Sequence, residues 1–236
     1  MEVQIAAAKI NKYAASESGD TLEVVERPHG GVSIVLADGQ STGRGGKAVS
    51  MLVVHKVIGL LADGVRDGAA ARAASDYLFV EKNGAASCVL NIVSVDLRTK
   101  TIVLASNNPL PVFVIRRDVV DALNTDSSPI GLGDGVRAVI TEIPLEVGLT
   151  VVIYTDGLAR AGERRGQPMD IVTTLHGLLD ENDPVPQEVA DVLVAQALRL
   201  DDNRPVDDIS VVVVRVMPQR GDHARRLTMR LPIQSG

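Results

Sequence analysis

Aromatic residues are scarce in this chain, with two Phe, three Tyr and no Trp among 236 residues. Proteins that bind single-stranded nucleic acid stack the bases on aromatic side chains. The formal net charge of −6 also opposes association with polyanions such as nucleic acids and anionic membranes. We therefore expect no nucleic-acid partner and no membrane partner, and a core built from Val, Leu, Ile and Ala.

Cysteine and long apolar runs are lacking too. The single Cys88 excludes an intrachain disulfide and is typical of a reducing compartment. It lies in a strand-like run, where we expect a small buried hydrophobe. The start of the chain has no basic segment of a signal peptide, and no run reaches the ~18 apolar residues of a membrane span. These features predict a cytoplasmic protein.

Motifs for nucleotide binding, zinc binding and serine hydrolysis are missing. The segment 43–47 looks like a phosphate loop, but Ser41 and Ala48 stand where a Walker A motif needs Gly and Ser or Thr. No two of the four His have the i, i+4 spacing of a zinc-binding helix. The chain also has no Gly-x-Ser-x-Gly elbow. Acidic oxygen ligands are what remain for chemistry.

Carboxylates mark the ends of four apolar runs that are typical of strands. Strand ends that converge at one edge of a sheet can hold several carboxylates around hard cations. This pattern predicts a metal-dependent phosphoryl-transfer or hydrolytic site. The acids are Asp20 before 22–25, Asp38 after 32–37, Asp156 after 151–155, and Asp207 with Asp208 before 209–214.

Asp-Gly is also a common turn dipeptide, and this chain has five of them. Asp63 and Asp67 separate two helical patterns, with Asp67 as the expected N-cap of the second, and Asp134 lies in a glycine-rich loop. We interpret these three as turns or caps. For Asp38 and for Asp156 taken alone, a site and a turn remain equally open.

The helical patterns cluster in two places between runs of strands, which favours an α+β fold with antiparallel sheets. We expect one domain over 1–236 with a core of about 3–216, and the apolar alternation in the tail, 221–236, favours an added edge strand over the alternative of a disordered arm. Helices are predicted after 45, after 67 and after 186. Strands are predicted at 3–10, 22–26, 32–36, 87–95, 101–105, 112–116, 136–143, 150–154 and 209–216.

The ordered acidic segments resemble those of the metal-dependent protein phosphatases (the PPM, or type 2C, family). The resemblance covers about 8–216 and is closest to the bacterial, SpoIIE-like branch of sporulation and stress-response phosphatases. Within that branch, Asp38 to Ser50 resembles the small feedback phosphatases of stress-signalling complexes. The segments are Ser18-Gly19-Asp20, Ala37-Asp38-Gly39-Gln40-Ser41-Thr42-Gly43, Ala105-Ser106-Asn107-Asn108-Pro109, Tyr154-Thr155-Asp156-Gly157-Leu158 and Val206-Asp207-Asp208-Ile209-Ser210-Val211.

The resemblance implies a four-layer αββα sandwich of two antiparallel β-sheets flanked by helix pairs. It also implies two Mn²⁺ or Mg²⁺ ions at one end of the sandwich. In this reading Asp38 bridges both ions, Asp156 and Asp207 hold one ion, and these three are the catalytic residues. The remaining expected metal-site residues are Asp20 near the other ion, Gly39 through its carbonyl, and Asp208 as a secondary ligand or a support for a ligand.

The chain departs from the family pattern at three positions. Ala15 stands where the eukaryotic branch has a phosphate-binding Arg, and Gln40 stands where it has a His proposed as general acid. Thr42 replaces a His of many bacterial members. Arg44 and Lys47 are therefore candidates for anion binding, with solvated charges at a helix start as the equal alternative.

The activity implied is hydrolysis of phosphoserine or phosphothreonine on a bacterial regulatory protein of sigma-factor or stressosome-type signalling. Water that bridges the two ions would attack directly, without a phosphoenzyme. A phosphatase for small phosphate esters and a non-catalytic phosphatase-like binding module remain open as alternatives. The loop 157–170, with Arg164 and Arg165, is expected to be flexible, and either contacts an acidic partner or is merely solvated.

Overall fold

The strand-like runs are dominated by β-branched residues, and they form the strands of the fold. The structure is a computed structural model that describes residues 1–40, 45–117, 119–124, 126–133, 135–181, 183–219 and 221–232. The strands in these residues are β1 (Glu2–Ile10), β2 (Asp20–Glu26), β3 (Val32–Gln40), β4 (Ser87–Asp96), β5 (Thr101–Asn107), β6 (Val112–Arg116), β7 (Val119–Leu123), β8 (Val139–Pro144), β9 (Thr150–Tyr154) and β10 (Ile209–Met217). They form two antiparallel sheets, sheet I in the order β1-β10-β9-β6-β7 and sheet II in the order β2-β3-β4-β5-β8.

Helices cover the outer face of each sheet. On sheet II lie α1 (Gly46–Ala62) and α2 (Asp67–Lys82), and on sheet I lie the single turn α3 (Asp156–Ala159), α4 (Ile171–Glu181) and α5 (Pro186–Leu200). Pro186 at the first position of α5 suits a helix start, where its missing N–H has no partner to lose. The two stacked sheets and their helix pairs confirm the predicted α+β, four-layer αββα sandwich.

Alternation along the strands creates three apolar layers. In β3, Val35 packs under α1 and α2, whereas Ile34 and Leu36 face the other sheet. In β10, Val213 packs under α5 and Val214 faces sheet II. A strand that is buried on both faces has apolar residues at consecutive positions. This is why the strands could be predicted from continuous apolar runs in the sequence.

Three elements escape the sequence pattern: the exposed edge strand β7, the single turn α3 and the helix α4. One predicted helix cap is also displaced. Asp67 is the first residue of α2 and Arg66 is its N-cap, so the expected cap is displaced by one position. The carboxylate of Asp67 is instead buried, where it accepts a hydrogen bond from the Ser94 hydroxyl and pairs with Arg27 at 3.7 Å.

The described part of the tail, 221–232, forms no strand, contrary to the expected edge strand. Arg225 donates to the Gly30 carbonyl at 2.8 Å and lies 3.5 Å from Glu26, which fixes the tail across the β2–β3 turn instead of along a strand. Its apolar side chains, including Leu227, are exposed.

In the described residues, no helix combines the length and the hydropathy that a transmembrane span requires.

Deleting the same atoms inside and outside the middle layer should give very different losses of stability. Leu36 is 1% exposed between the sheets, and Leu97 is 48% exposed in a turn. We expect Leu36→Ala to lower the free energy of unfolding by about 2–5 kcal/mol, and Leu97→Ala to change it by less than ~0.5 kcal/mol. Urea unfolding measures both, and equal losses would contradict the layer assignment.

Candidate functional site

Four strand ends meet at one end of the sandwich. Asp20 at the start of β2 lies directly opposite Asp38 near the end of β3. On sheet I, the end of β9 adjoins the start of β10. The two sheets are joined there because the Asp20 carboxylate accepts hydrogen bonds from Thr155 at 3.0 Å and Ser210 at 2.6 Å. The predicted convergence of strand ends is therefore what the structure has.

Electrostatic repulsion in this cluster is strong. Burial, followed by the charges of Asp20, Asp156, Asp207 and Asp208, raises the pKa of Asp38 to about 8. Burial also raises the pKa of Asp20 to about 6, although the hydroxyls of Ser210 and Thr155 oppose the rise. Like charges directly opposite on adjacent strands destabilise a sheet, so this end of the fold favours a positive partner.

Asp207 and Asp208 have different surroundings. Asp208 is 4% exposed, and its two carboxylate oxygens accept backbone N–H groups of Lys12 at 2.9 Å and Gly19 at 2.7 Å. It thereby fixes the turn that leads into β2. Asp207 is half-buried and accepts the N–H of Asp208 at 2.9 Å, which leaves more of its carboxylate free to face the cluster.

Asp156 is the first residue of α3 and is half-buried. Burial raises the pKa of this carboxyl, Asp207 adds to the rise, and Arg160 opposes it. The guanidinium of Arg160 lies 3.6 Å from the Asp156 carboxylate. The pattern of strand ends misses Arg160, although i, i+4 spacing from Asp156 would have indicated it once α3 was recognised.

Two close backbone approaches bring the elements of the site together. A Cβ atom on Gly39 would lie 2.0 Å from the Gly46 carbonyl oxygen, and one on Gly157 would lie 2.2 Å from the Asp208 carbonyl oxygen. Only glycine fits at such distances. The start of α1 can therefore pack on the end of β3, and α3 on the start of β10.

Two lysines hold β2 in place at the site. The Lys47 ammonium donates to the Asp20 carbonyl at 2.8 Å and to the Thr21 hydroxyl at 3.0 Å. Lys9 donates to the same carbonyl at 2.5 Å. Lys47 is thus bound to the backbone of β2, which neither of its sequence-based interpretations foresaw. Thr42, Gly43, Arg44 and Asp134 lie outside the described residues.

The segment between α3 and α4 has local structure and hydrogen bonds to its surroundings, and its flexibility stays a prediction. It contains a short 3₁₀ helix, Glu163–Arg165. Gly162 donates its N–H to Asp201 at 2.8 Å, and Met169 donates to the Ala161 carbonyl at 2.9 Å. Arg164 and Arg165 are exposed on this segment, and their contact with an acidic partner stays a prediction.

The donor set of the cluster suits a hard cation. Its side chains provide only oxygen atoms, and their mutual repulsion would be relieved by positive charge. In the described part of the chain, however, no three Asp, Glu, His or Cys side chains form a ready ligand group. The carboxylates are turned instead toward the donors of their own fold, as Asp20 is toward Ser210 and Asp156 toward Arg160.

The raised pKa values give a pH dependence of stability in buffer that contains a chelator. An unfolded Asp loses its proton near pH 4, whereas folded Asp38 keeps its proton until about pH 8. The folded state binds more protons in this window, so stability falls as pH rises. We expect Asp38→Asn to reduce the loss of unfolding free energy between pH 5 and pH 8 by at least ~1.4 kcal/mol, the value of one pKa unit.

The measurement is urea unfolding at pH 5 and pH 8. Asp63 is exposed at the C-terminal end of α1, so Asp63→Asn is the matched control and should keep the wild-type slope. A slope that is the same in wild type and Asp38→Asn would contradict the clustering of the carboxylates.

Comparison with known proteins agrees with this geometry. The family model for Stage II sporulation protein E (SpoIIE) matches residues 28–217. Stage II sporulation protein E of Bacillus subtilis is 24% identical over 216 residues, which are 91% of this chain and 26% of that protein. The Priestia megaterium protein of the same name is 21% identical over 199 residues, 84% of this chain and 34% of that protein. The chain thus spans about a third or less of these relatives.

Solved structures share the fold at low sequence identity. The PP2C phosphatase domain of Bacillus subtilis SpoIIE, with a fragment of its regulatory domain, has a TM-score of 0.80 at 20% identity and covers 93% of this chain and 64% of that chain. The catalytic domain of the phosphatase PstP with two manganese ions has a TM-score of 0.70 at 17% identity, over 92% and 99%.

The RsbU and RsbW domains of a Mycobacterium tuberculosis protein have a TM-score of 0.71 at 19% identity, over 92% of this chain and 62% of that chain. These three structures support the two-sheet architecture, and the family model covers eight of its ten strands, from the β2–β3 turn to the end of β10. The chain therefore belongs to the SpoIIE family and has the fold of the PP2C phosphatase domains.

Proposed function

We propose that this chain is a metal-dependent serine/threonine protein phosphatase that acts on a phosphorylated regulatory protein. One observation carries this proposal: Asp20 on β2 lies directly opposite Asp38 on β3. The charges of Asp156 and Asp207 also raise the pKa of the Asp38 carboxyl. A cluster of repelling carboxylates at strand ends is suited to bind cations, and cations are suited to bind a phosphoryl group.

The cofactor that we propose is a pair of Mn²⁺ or Mg²⁺ ions. The PstP neighbour holds two manganese ions, and the oxygen-only donors of this chain fit either metal. When bound, the ions supply positive charge to the phosphoryl oxygens and to the attacking water. The residues proposed to hold them are Asp38, Asp156, Asp207, Asp20, the Gly39 carbonyl and, as a support, Asp208.

The remaining contacts at the site position these carboxylates. The hydroxyls of Thr155 and Ser210 fix the Asp20 carboxylate from sheet I, so Asp20 keeps one orientation. Lys9 and Lys47 fix its carbonyl from two other elements. Preorganised charges of this kind need no rearrangement during the reaction, and they are usually a large part of catalysis.

The partner proposed is a bacterial regulatory phosphoprotein of sigma-factor or stressosome-type signalling. Support comes from the neighbour in which an RsbU domain and an RsbW domain occur together. We further propose that 1–236 forms one catalytic domain. We also propose that it works in the cytoplasm, since its single Cys88 is a free thiol, buried in β4, as is typical of a reducing compartment. Burial raises the pKa of this thiol, which keeps it unreactive.

Activity should depend on the site acids and on metal. With Mn²⁺ or Mg²⁺, the wild type should hydrolyse an aryl phosphate and phosphoserine proteins, and a chelator should abolish both reactions. Asp38→Asn and Asp207→Asn should each reduce kcat at least ~100-fold, because each removes a charge that holds the metal. Asp63→Asn should keep wild-type activity. Full activity in metal-free protein would refute the mechanism, and turnover of small esters alone would favour the small-molecule alternative.

Arg160 should bind the substrate phosphate in place of the Arg that Ala15 replaces. Its guanidinium already lies beside a site carboxylate, and a charge-assisted hydrogen bond to a phosphate contributes ~1.5–3 kcal/mol. We expect Arg160→Ala to raise KM for an aryl phosphate about tenfold or more with a small change in kcat. Arg164→Ala, which removes an exposed charge nearby, is the control. An equal effect of both variants on steady-state kinetics would exclude this role.

A further inference from the structure

A groove of about 390 Å³ opens on the outer face of sheet I, between the start of β6 and the segment that runs from α3 into α4. This volume is within the range of sites that bind ligands. Most of its lining is apolar, and it consists of Leu110, Pro111, Phe113, Tyr154, Ala159, Pro168, Met169, Asp170, Ile171 and Val172. The Asp170 carboxylate is already engaged, because it accepts hydrogen bonds from the N–H and hydroxyl of Thr173 at the start of α4.

Tyr154 gives the groove one polar group without a partner. The residue is 3% exposed, and its ring stacks on Phe113 with centroids 5.6 Å apart. Its carbonyl accepts from Asn108 at 3.3 Å, but its hydroxyl makes no hydrogen bond within the described part of the chain. The hydroxyl is not one of the buried polar atoms that lack a partner, so it is open to the groove and can donate a hydrogen bond to a bound group.

The groove adjoins the carboxylate cluster. Tyr154 precedes Asp156 by two residues and Ala159 follows it by three. Two residues of extended chain span at most about 7 Å. Suppose that a phosphoserine is bound by the ions proposed beside Asp156 and that its peptide is extended. The side chains two or three residues from the phosphoserine would then lie near the groove. Arg160 is exposed beside Asp156 and also pairs with Glu163 at 3.4 Å, and it is the cation next to the cluster that suits a phosphorylated segment.

We propose that the groove binds an apolar side chain of the phosphoprotein substrate, two or three residues from the phosphoserine, while a main-chain carbonyl of the substrate accepts a hydrogen bond from the Tyr154 hydroxyl. This inference rests on the proposed function and adds a substrate class to it. A peptide fits better than a compact small molecule, because the apolar groove and the charged cluster lie side by side and a linear segment can occupy both.

The test uses fluorescein-labelled nonapeptides that carry a phosphonate analogue of phosphoserine at the centre, so that binding is measured without turnover. The other positions are Ala, and Leu is placed at each in turn. Fluorescence anisotropy with wild-type protein and Mn²⁺ should show at least fivefold tighter binding for Leu at one position, two or three residues from the centre. Equal affinity for all the peptides would overturn the proposal.

Two matched variants locate the preference. Val172 lines the groove and is 36% exposed, and Val192 on α5 is 37% exposed outside the lining. Val172→Glu should abolish the preference for Leu, whereas Val192→Glu should retain it. Tyr154→Phe keeps the ring and should weaken every peptide a few-fold without removing the preference. A preference that survives Val172→Glu, or a Tyr154→Phe variant with unchanged affinities, would overturn the proposal.

Hydrolysis of an aryl phosphate is measured in parallel and separates the two proposals. Metal-dependent hydrolysis without any positional preference would support the phosphatase function and exclude the groove as a binding site for the substrate. A positional preference that Val172→Glu abolishes, in a protein that hydrolyses no phosphate ester, would support the groove and refute the phosphatase function.

Discussion

The placement of Asp20 directly opposite Asp38 is the constraint on which the rest of the site depends. The buried Asp20 and the half-buried Asp38 repel each other at this spacing, and the pKa of Asp38 rises to about 8 as a result of burial and of its acidic neighbours. The sheet tolerates the pair because β3 is a central strand, flanked by β2 and β4 and buried under α1. Apolar packing of the strands thus holds charges together that would otherwise separate.

The stacking of the two sheets is equally necessary. Asp20 belongs to sheet II, yet its hydroxyl donors, Thr155 and Ser210, adjoin the strands of sheet I. Asp208 reaches in the other direction, to the N–H of Gly19 just before β2. The middle apolar layer therefore sets the distance between the carboxylates, and a change in that layer should alter the site as well as the stability.

The sequence predicts the strands and the acids at their ends because both features are local: strands buried on both faces are continuous apolar runs, and each acid adjoins one. It fails where the signal is short or tertiary. The single turn α3 has too few residues for a helical period, so Arg160 escapes notice. Lys47 can be assigned only when β2 is seen beside α1, and the edge strand β7 lacks a buried face that would give an apolar run.

The departures from the family pattern bear on how a substrate is held. Gln40 stands where the eukaryotic branch has a His, and it accepts a hydrogen bond from Ser87 at 3.3 Å. An amide has no proton to give at neutral pH, and Ala15 has no charge to offer the phosphate. Rate then depends on contacts that strengthen toward the transition state. Substrate groups beyond the phosphate become more important in such a site, and in our proposals Arg160 binds the phosphate while the groove beside Tyr154 binds an apolar group beyond it.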